Sequence, residues 1–252
     1  EYTQPALLTV SIAELRTFEP AGIHAMAVAG HSLGEYSALV AAGGLTFETA
    51  VSLVQKRGRY MAEAVPSGRG MVAAVLGVSK EVVIEACREA TSVGVVAAAN
   101  FNCRGQIVIA GDKAAVERAI ELVKTKGCRK AIPLPVSVPV HTPLMQCAAD
   151  RLAQDVDGAI WSDLKMPLVN NAEAKPLRLA AEAKASVIRQ LPSPVLWEDS
   201  IKVMQGMGVK TFIEVGPGTV LTGLVKRIAP EATTFNVHDP RSLESALKGL
   251  NA

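Results

Sequence analysis

Aromatic residues are scarce, at 4% of 252 residues, so aliphatic side chains must fill any core. The four cysteines, Cys87, Cys103, Cys128 and Cys147, form no CxxC pair, and no histidine stands at ligand spacing from them. That argues against a zinc site or a disulfide framework and fits a reducing, cytoplasmic setting. No apolar run is long enough to cross a bilayer and no signal-peptide pattern is present, so no membrane partner is expected. An excess of one charge is missing too. Lys and Arg number 26 against 24 Asp and Glu, a net charge of +2 that gives no electrostatic footprint for nucleic acid. Neither an internal repeat nor a low-complexity linker interrupts the sequence.

What is present is a globular balance of 49% hydrophobic and 20% charged residues, in a chain of 26.4 kDa that can bury more than one core. The Ala, Val, Leu and Ile enrichment suits an α/β fold with a buried parallel sheet covered by helices. Residues 5–15 read as helix, 25–29 as a short strand, 34–42 as a small-residue helix, and 47–65 as a longer helix capped by Thr46 and stopped by Pro66. The rhythm then changes. Residues 71–76, 95–100, 106–110 and 129–134 read as strands, with helices over 79–91 and 114–126 between them. That βαββαβ order is the pattern of a ferredoxin-like unit. It predicts a small subdomain over 68–137, inserted into a larger α/β subdomain made of 1–67 and 138–252. Thr142 and Pro143 predict the cap and first turn of a helix to about residue 156. Strands over 166–170, 211–215 and 233–237, and helices to about 228 and over 242–250, complete the reading.

Chemistry concentrates at Gly30-His31-Ser32-Leu33-Gly34, a GxSxG string between a predicted strand and a predicted helix. A serine on so tight a turn needs small neighbours, which Gly30 and Gly34 provide. It also lies at a helix N-terminus, where the Leu33 N–H can stabilise an oxyanion. A tight turn that merely contains serine would give the same string. A nucleophilic Ser32 needs a base. His24 opens a strand, His238 lies in a polar tail, and His31 points away from its neighbour once the turn forms. That leaves His141, in a loop before a helix, as general base and acid. No carboxylate stands out to orient it, because Asp112, Asp150 and Glu214 suit caps or surface faces as well. On the helix over 47–65, Ala50, Val54, Arg57 and Met61 share one face that is apolar apart from Arg57. A buried guanidinium must meet an anion, either an internal carboxylate or a carboxylate-bearing substrate. Gly216-Pro217-Gly218-Thr219 reads as a tight turn beside the pocket, without the GK[ST] ending of a phosphate loop.

The string Gly30-His31-Ser32-Leu33-Gly34-Glu35-Tyr36-Ser37-Ala38-Leu39 resembles the malonyl-CoA:acyl carrier protein transacylases of fatty acid synthesis. The likeness continues through Gln55-Lys56-Arg57-Gly58, Asn100-Phe101-Asn102, Gly105-Gln106 and Pro135-Val136-Ser137-Val138-Pro139-Val140-His141. It extends to Arg189-Gln190-Leu191, Pro194-Val195 and Glu214-Val215-Gly216-Pro217-Gly218. The resemblance implies an α/β-hydrolase-like large subdomain carrying a ferredoxin-like small one. It implies that Ser32 is acylated from malonyl-CoA, that His141 is the base, and that Arg57 grips the malonyl carboxylate beside Met61. It also implies that the Gln190 carbonyl orients His141, that Leu33 supplies the oxyanion N–H, and that Asn102 and Gln106 lie near the acyl or pantetheine arm. The second substrate would be an acyl carrier protein, for which Arg129-Lys130 and Lys226-Arg227 are either docking charges or simply solvated surface charges. The protein is expected to act as a monomer without metal or redox cofactor. The family's opening strand and GQGSQ loop, whose glutamine gives a second oxyanion donor, have no counterpart in this sequence, so a gap beside the sheet is expected. A serine esterase or thioesterase, and an inactive acyl-binding fragment, are the alternatives.

Overall fold

The structure is a computed structural model that describes residues 2–250. Helix α1 (Thr3–Phe18) packs on α2 (Gly34–Ala41) and α3 (Phe47–Ala64), and α6 (Gln146–Gly158) and α7 (Ala180–Gln190) close the bundle. Their inward stripes form one core around Leu8, Tyr36, Leu39, Val54, Leu152 and Val187. Thr46 caps α3 by accepting from the Thr49 N–H at 3.2 Å. Thr142 does not cap. A 3-10 turn at Pro143–Met145 intervenes before α6, and the Thr142 hydroxyl donates instead to the Pro139 carbonyl at 2.6 Å.

Between these helices the chain builds β1 (Gly70–Leu76), α4 (Lys80–Ala90), β2 (Val96–Cys103), β3 (Gln106–Asp112), α5 (Lys113–Thr125) and β4 (Lys130–Pro133). The four strands form one antiparallel sheet in the order β2-β3-β1-β4. Both helices pack on one face of it, over a second core of Val75, Val83, Ile109, Val116 and Val123.

The remaining strands are short. β5 (Leu168–Val169) pairs antiparallel with β6 (Pro176–Leu177), and β7 (Thr211–Val215) pairs parallel with β8 (Thr233–Val237). The strand expected over 25–29 is reduced to a single parallel bridge, Val28 to Leu168, and that expected over 166–170 to the two residues of β5. The buried parallel sheet expected from aliphatic composition is thus fragmentary among the described residues. Short apolar runs such as 25–29 carry β-propensity, but a ladder also needs a neighbouring edge to pair with. A cleft of about 860 Å³ lies there instead, walled by Ile12, Leu15, Ala27, Ala29, Ile213 and Val215. Helices α8 (Trp197–Gly206), α9 (Val220–Ile228) and α10 (Pro240–Leu250) cover the other side. No helix among the described residues is long and apolar enough to cross a membrane.

Candidate active site

Ser32 sits between the Val28 bridge and α2 with a φ of 51°, in the left-handed region that non-glycine residues avoid. Gly30 makes that turn possible. A Cβ there would stand 1.9 Å from the Gly34 carbonyl oxygen, whereas one on Gly34 would meet open space. The steric need read from the sequence therefore falls on one of the two glycines. The first bonds of the turn run from the Gly34, Glu35 and Tyr36 N–H groups to His31, Ser32 and Leu33 carbonyls, and the Leu33 N–H precedes them at the helix start.

His141 also has a left-handed backbone, with φ of 60°, and is buried. Its Nδ1 lies 3.0 Å from the Gln190 carbonyl and 3.2 Å from that of Ser193. Carbonyls only accept, so Nδ1 carries the proton and Nε2 presents its lone pair. That lone pair faces the Ser32 hydroxyl at 2.7 Å. Among the described residues no carboxylate takes part. Glu214 instead caps the start of α9, accepting from the Leu221 and Thr222 N–H groups, and Asp112 accepts from Arg69 and the Val95 N–H.

Arg57 is 1% exposed and reaches the same hydroxyl, its Nη2 donating to Ser32 Oγ at 3.1 Å and to Gln190 Oε1 at 3.0 Å. Nη1 donates to Gln4 Oε1 at 2.6 Å, and the buried Nε has no hydrogen-bond partner among the described residues. The Tyr36 ring lies 5.8 Å from the guanidinium carbon. No carboxylate among the described residues forms an ion pair with Arg57. Burial pulls its proton affinity down, but an arginine starts high enough to stay charged. That cation adds to desolvation in pushing His141 down to about 3, so the imidazole is neutral and ready to accept a proton.

The other expected site residues divide. Met61 joins through Gln4, whose Nε2 donates to the Met61 sulfur at 3.5 Å. Asn102 is buried and meets His31, with Oδ1 2.9 Å from His31 Nε2, and the His31 ring lies tilted at 59° to that of Trp197, 5.5 Å away. Burial lowers the His31 proton affinity. Gln106 stands at the rim of the cleft, where its Oε1 accepts from Arg227. The side-chain hydrogen bonds of Asn102 and Gln106 run to His31, Cys103 and Arg227 rather than to Ser32, His141 or Arg57.

The sequence reading missed four residues. Gln4, just before the helix read over 5–15, accepts from Arg57. Asn171 Oδ1 accepts from the Ser32 N–H at 2.6 Å while its Nδ2 donates to the Gly30 carbonyl at 2.8 Å, so one side chain fixes both ends of the turn. Glu35 and Ser186 are buried beneath the same turn. Only the Asn170-Asn171 pair after an apolar run carried a local signal, that of a turn.

Residues 1–239 match the acyl transferase domain family model. The chain is 48% identical over 248 residues to the malonyl CoA-acyl carrier protein transacylase of Bacillus subtilis, covering 98% of this chain and 78% of that one. It is 47% identical to the enzyme of that name from Escherichia coli K12, covering 98% and 80%. The solved malonyl CoA-acyl carrier protein transacylase of Coxiella burnetii superposes with a TM-score of 0.97 at 43% identity, covering 100% and 80%. A malonyl-transacylase solved in complex with its holo type II polyketide acyl-carrier protein gives 0.95 at 44% identity, covering 98% and 80%.

Proposed function

The chain belongs to the acyl transferase domain family, and from that premise we propose that it moves malonyl from malonyl-CoA to the phosphopantetheine thiol of an acyl carrier protein. One observation carries the reading. A buried guanidinium that forms no ion pair with any described carboxylate, and reaches buried Glu35 only through the Gln190 amide, shares the Ser32 hydroxyl with a neutral imidazole. An esterase has no use for a charge there, whereas a substrate with a free carboxylate supplies a direct anionic partner.

In this reading His141 Nε2 takes the Ser32 proton as Oγ attacks the thioester carbonyl, and the Leu33 N–H at the start of α2 stabilises the oxyanion. Collapse expels the CoA sulfur, which recovers the proton from His141 and leaves malonyl-Ser32. The carrier thiol then gives its proton to His141, attacks the ester, and returns Ser32. The Gln190 and Ser193 carbonyls hold the imidazole in place of an acid. A carboxylate settling on Arg57 offsets that cation's repulsion of a protonated His141, so the base strengthens as malonyl binds. Met61 would pack beside the acyl group, and Asn102 and Gln106 would line the pantetheine path. Exposed Lys226 and Arg227 on α9, with Arg129 and Lys130, are the docking charges for an acidic carrier. The strand order β2-β3-β1-β4 supports reading 68–137 as a ferredoxin-like subdomain in an α/β-hydrolase-like frame.

Intact-mass measurement after exposure to malonyl-CoA tests this. A malonyl adduct absent from Ser32→Ala, and label passing to carrier protein rather than free malonate, is the expected result. Label released mainly as malonate would instead indicate a thioesterase.

A further inference from the structure

Glu35 follows Ser32 by three residues, so one turn of α2 returns its side chain beneath the nucleophile. It is wholly buried, an unusual place for a carboxylate. Three donors meet it: the Ser186 hydroxyl on Oε1 at 2.9 Å, and the Asn171 N–H at 2.9 Å and Gln190 Nε2 at 3.0 Å on Oε2. Ser186 and Gln190 stand four residues apart on α7, hence on one face, and Glu35 ties that face to α2.

Gln190 has a donor end and an acceptor end, and its neighbours decide which way they point. Nε2 faces acceptors, namely Glu35, the Ser32 carbonyl at 2.9 Å and Asn171 Oδ1 at 3.4 Å. Oε1 faces the donor-only Arg57 at 3.0 Å. Burial raises the Glu35 proton affinity, but all three contacts it makes are from donors, so it acts as an accepting carboxylate; together with the Ser32 carbonyl it holds the amide nitrogen, which leaves the amide oxygen turned to Arg57. Resting on the malonyl reading above, we propose that Glu35 is a positioning residue for substrate selection, fixing Gln190 and thereby the Arg57 guanidinium that faces the substrate carboxylate. It touches no reacting atom. Its effect falls on Arg57 more than on His141, which Gln190 holds by its backbone carbonyl.

Glu35→Gln keeps the shape but removes the charge and offers Gln190 a group that can donate or accept, so the amide is held only by the Ser32 carbonyl and Arg57 and its position loosens. The test compares kcat/KM for malonyl and acetyl thioesters. Glu35→Gln is expected to lower the malonyl-to-acetyl ratio roughly tenfold, mainly through the malonyl KM, with acetyl transfer largely kept. A wild-type ratio in the folded variant overturns the proposal, as does an equal loss with both substrates, the mark of a structural role alone. Should Glu35→Gln not fold, Glu35→Asp withdraws the carboxylate from Gln190 by one methylene and is read by the same ratio. Absence of malonyl preference in the unmodified protein would remove the malonyl reading itself; a preference that survives both variants removes only the role of Glu35.

Discussion

From β1 to β4 the chain follows local rules: β1 and β3 keep a continuous antiparallel register from Gly70 opposite Asp112 to Leu76 opposite Gln106, over an aliphatic core, and β2 joins them with two irregularities. Round Ser32 those rules lapse. One bridge stands where a strand is expected, two non-glycine residues have left-handed backbones, and Glu35, Arg57, His141, Asn171, Ser186 and Gln190 are polar yet buried. The first region gains stability by burying methyl groups. The second keeps a charge and an imidazole out of water, and its geometry survives because nearly every polar atom is satisfied by a residue on another element. The difference teaches where to look for chemistry: where regular structure gives way to a paired polar interior.

The comparison breaks most sharply at Gly30. Gly30→Ala puts a methyl group into the Gly34 carbonyl, so the turn must open and Ser32 must leave His141. We expect loss of the malonyl adduct by two orders of magnitude or more, roughly the penalty of misplacing reacting groups, read by intact mass. Ile109→Ala in the small sheet should do the reverse. The Ile109 side chain is fully buried in an apolar core, so the cost is about 2–5 kcal/mol of stability in denaturant titration. The malonyl-to-acetyl ratio should not move.

A smaller effect sharpens the contrast. The His141 proton affinity is depressed by burial and by Arg57, to about 3. A group depressed on folding gives its full stability above its unfolded value of ~6.5 and loses it as pH falls toward the folded value. Acidification from 6.5 should therefore weaken the fold, while the acid limb of Ser32 acylation lies well below 6.5. A limb near 6.5 in kcat/KM would mean a solvated imidazole.

What was legible in the sequence follows the same division. The βαββαβ region could be read because alternation and helical spacing are local, and Arg57 because one charge on an apolar helix face is conspicuous. His141 emerged by elimination among four histidines. Glu35 was invisible, since an acid in the first turn of a helix ordinarily faces water, and only the packing of α7 on α2 buries it. Asn171 and Gln4 lie 139 and 28 residues from Ser32, beyond the reach of any periodicity. The strand expected over 25–29 failed for the opposite reason: composition was right, but pairing depends on the neighbouring edge.

Competition between malonyl and acetyl thioesters for Ser32, compared in the unmodified protein and Arg57→Ala by intact mass, tests the central claim most directly. The convergence of Ser32, His141 and Arg57 predicts a malonyl adduct in the first and acetyl uptake gaining relative to malonyl in the second. An unchanged malonyl preference in a folded Arg57→Ala protein would contradict it.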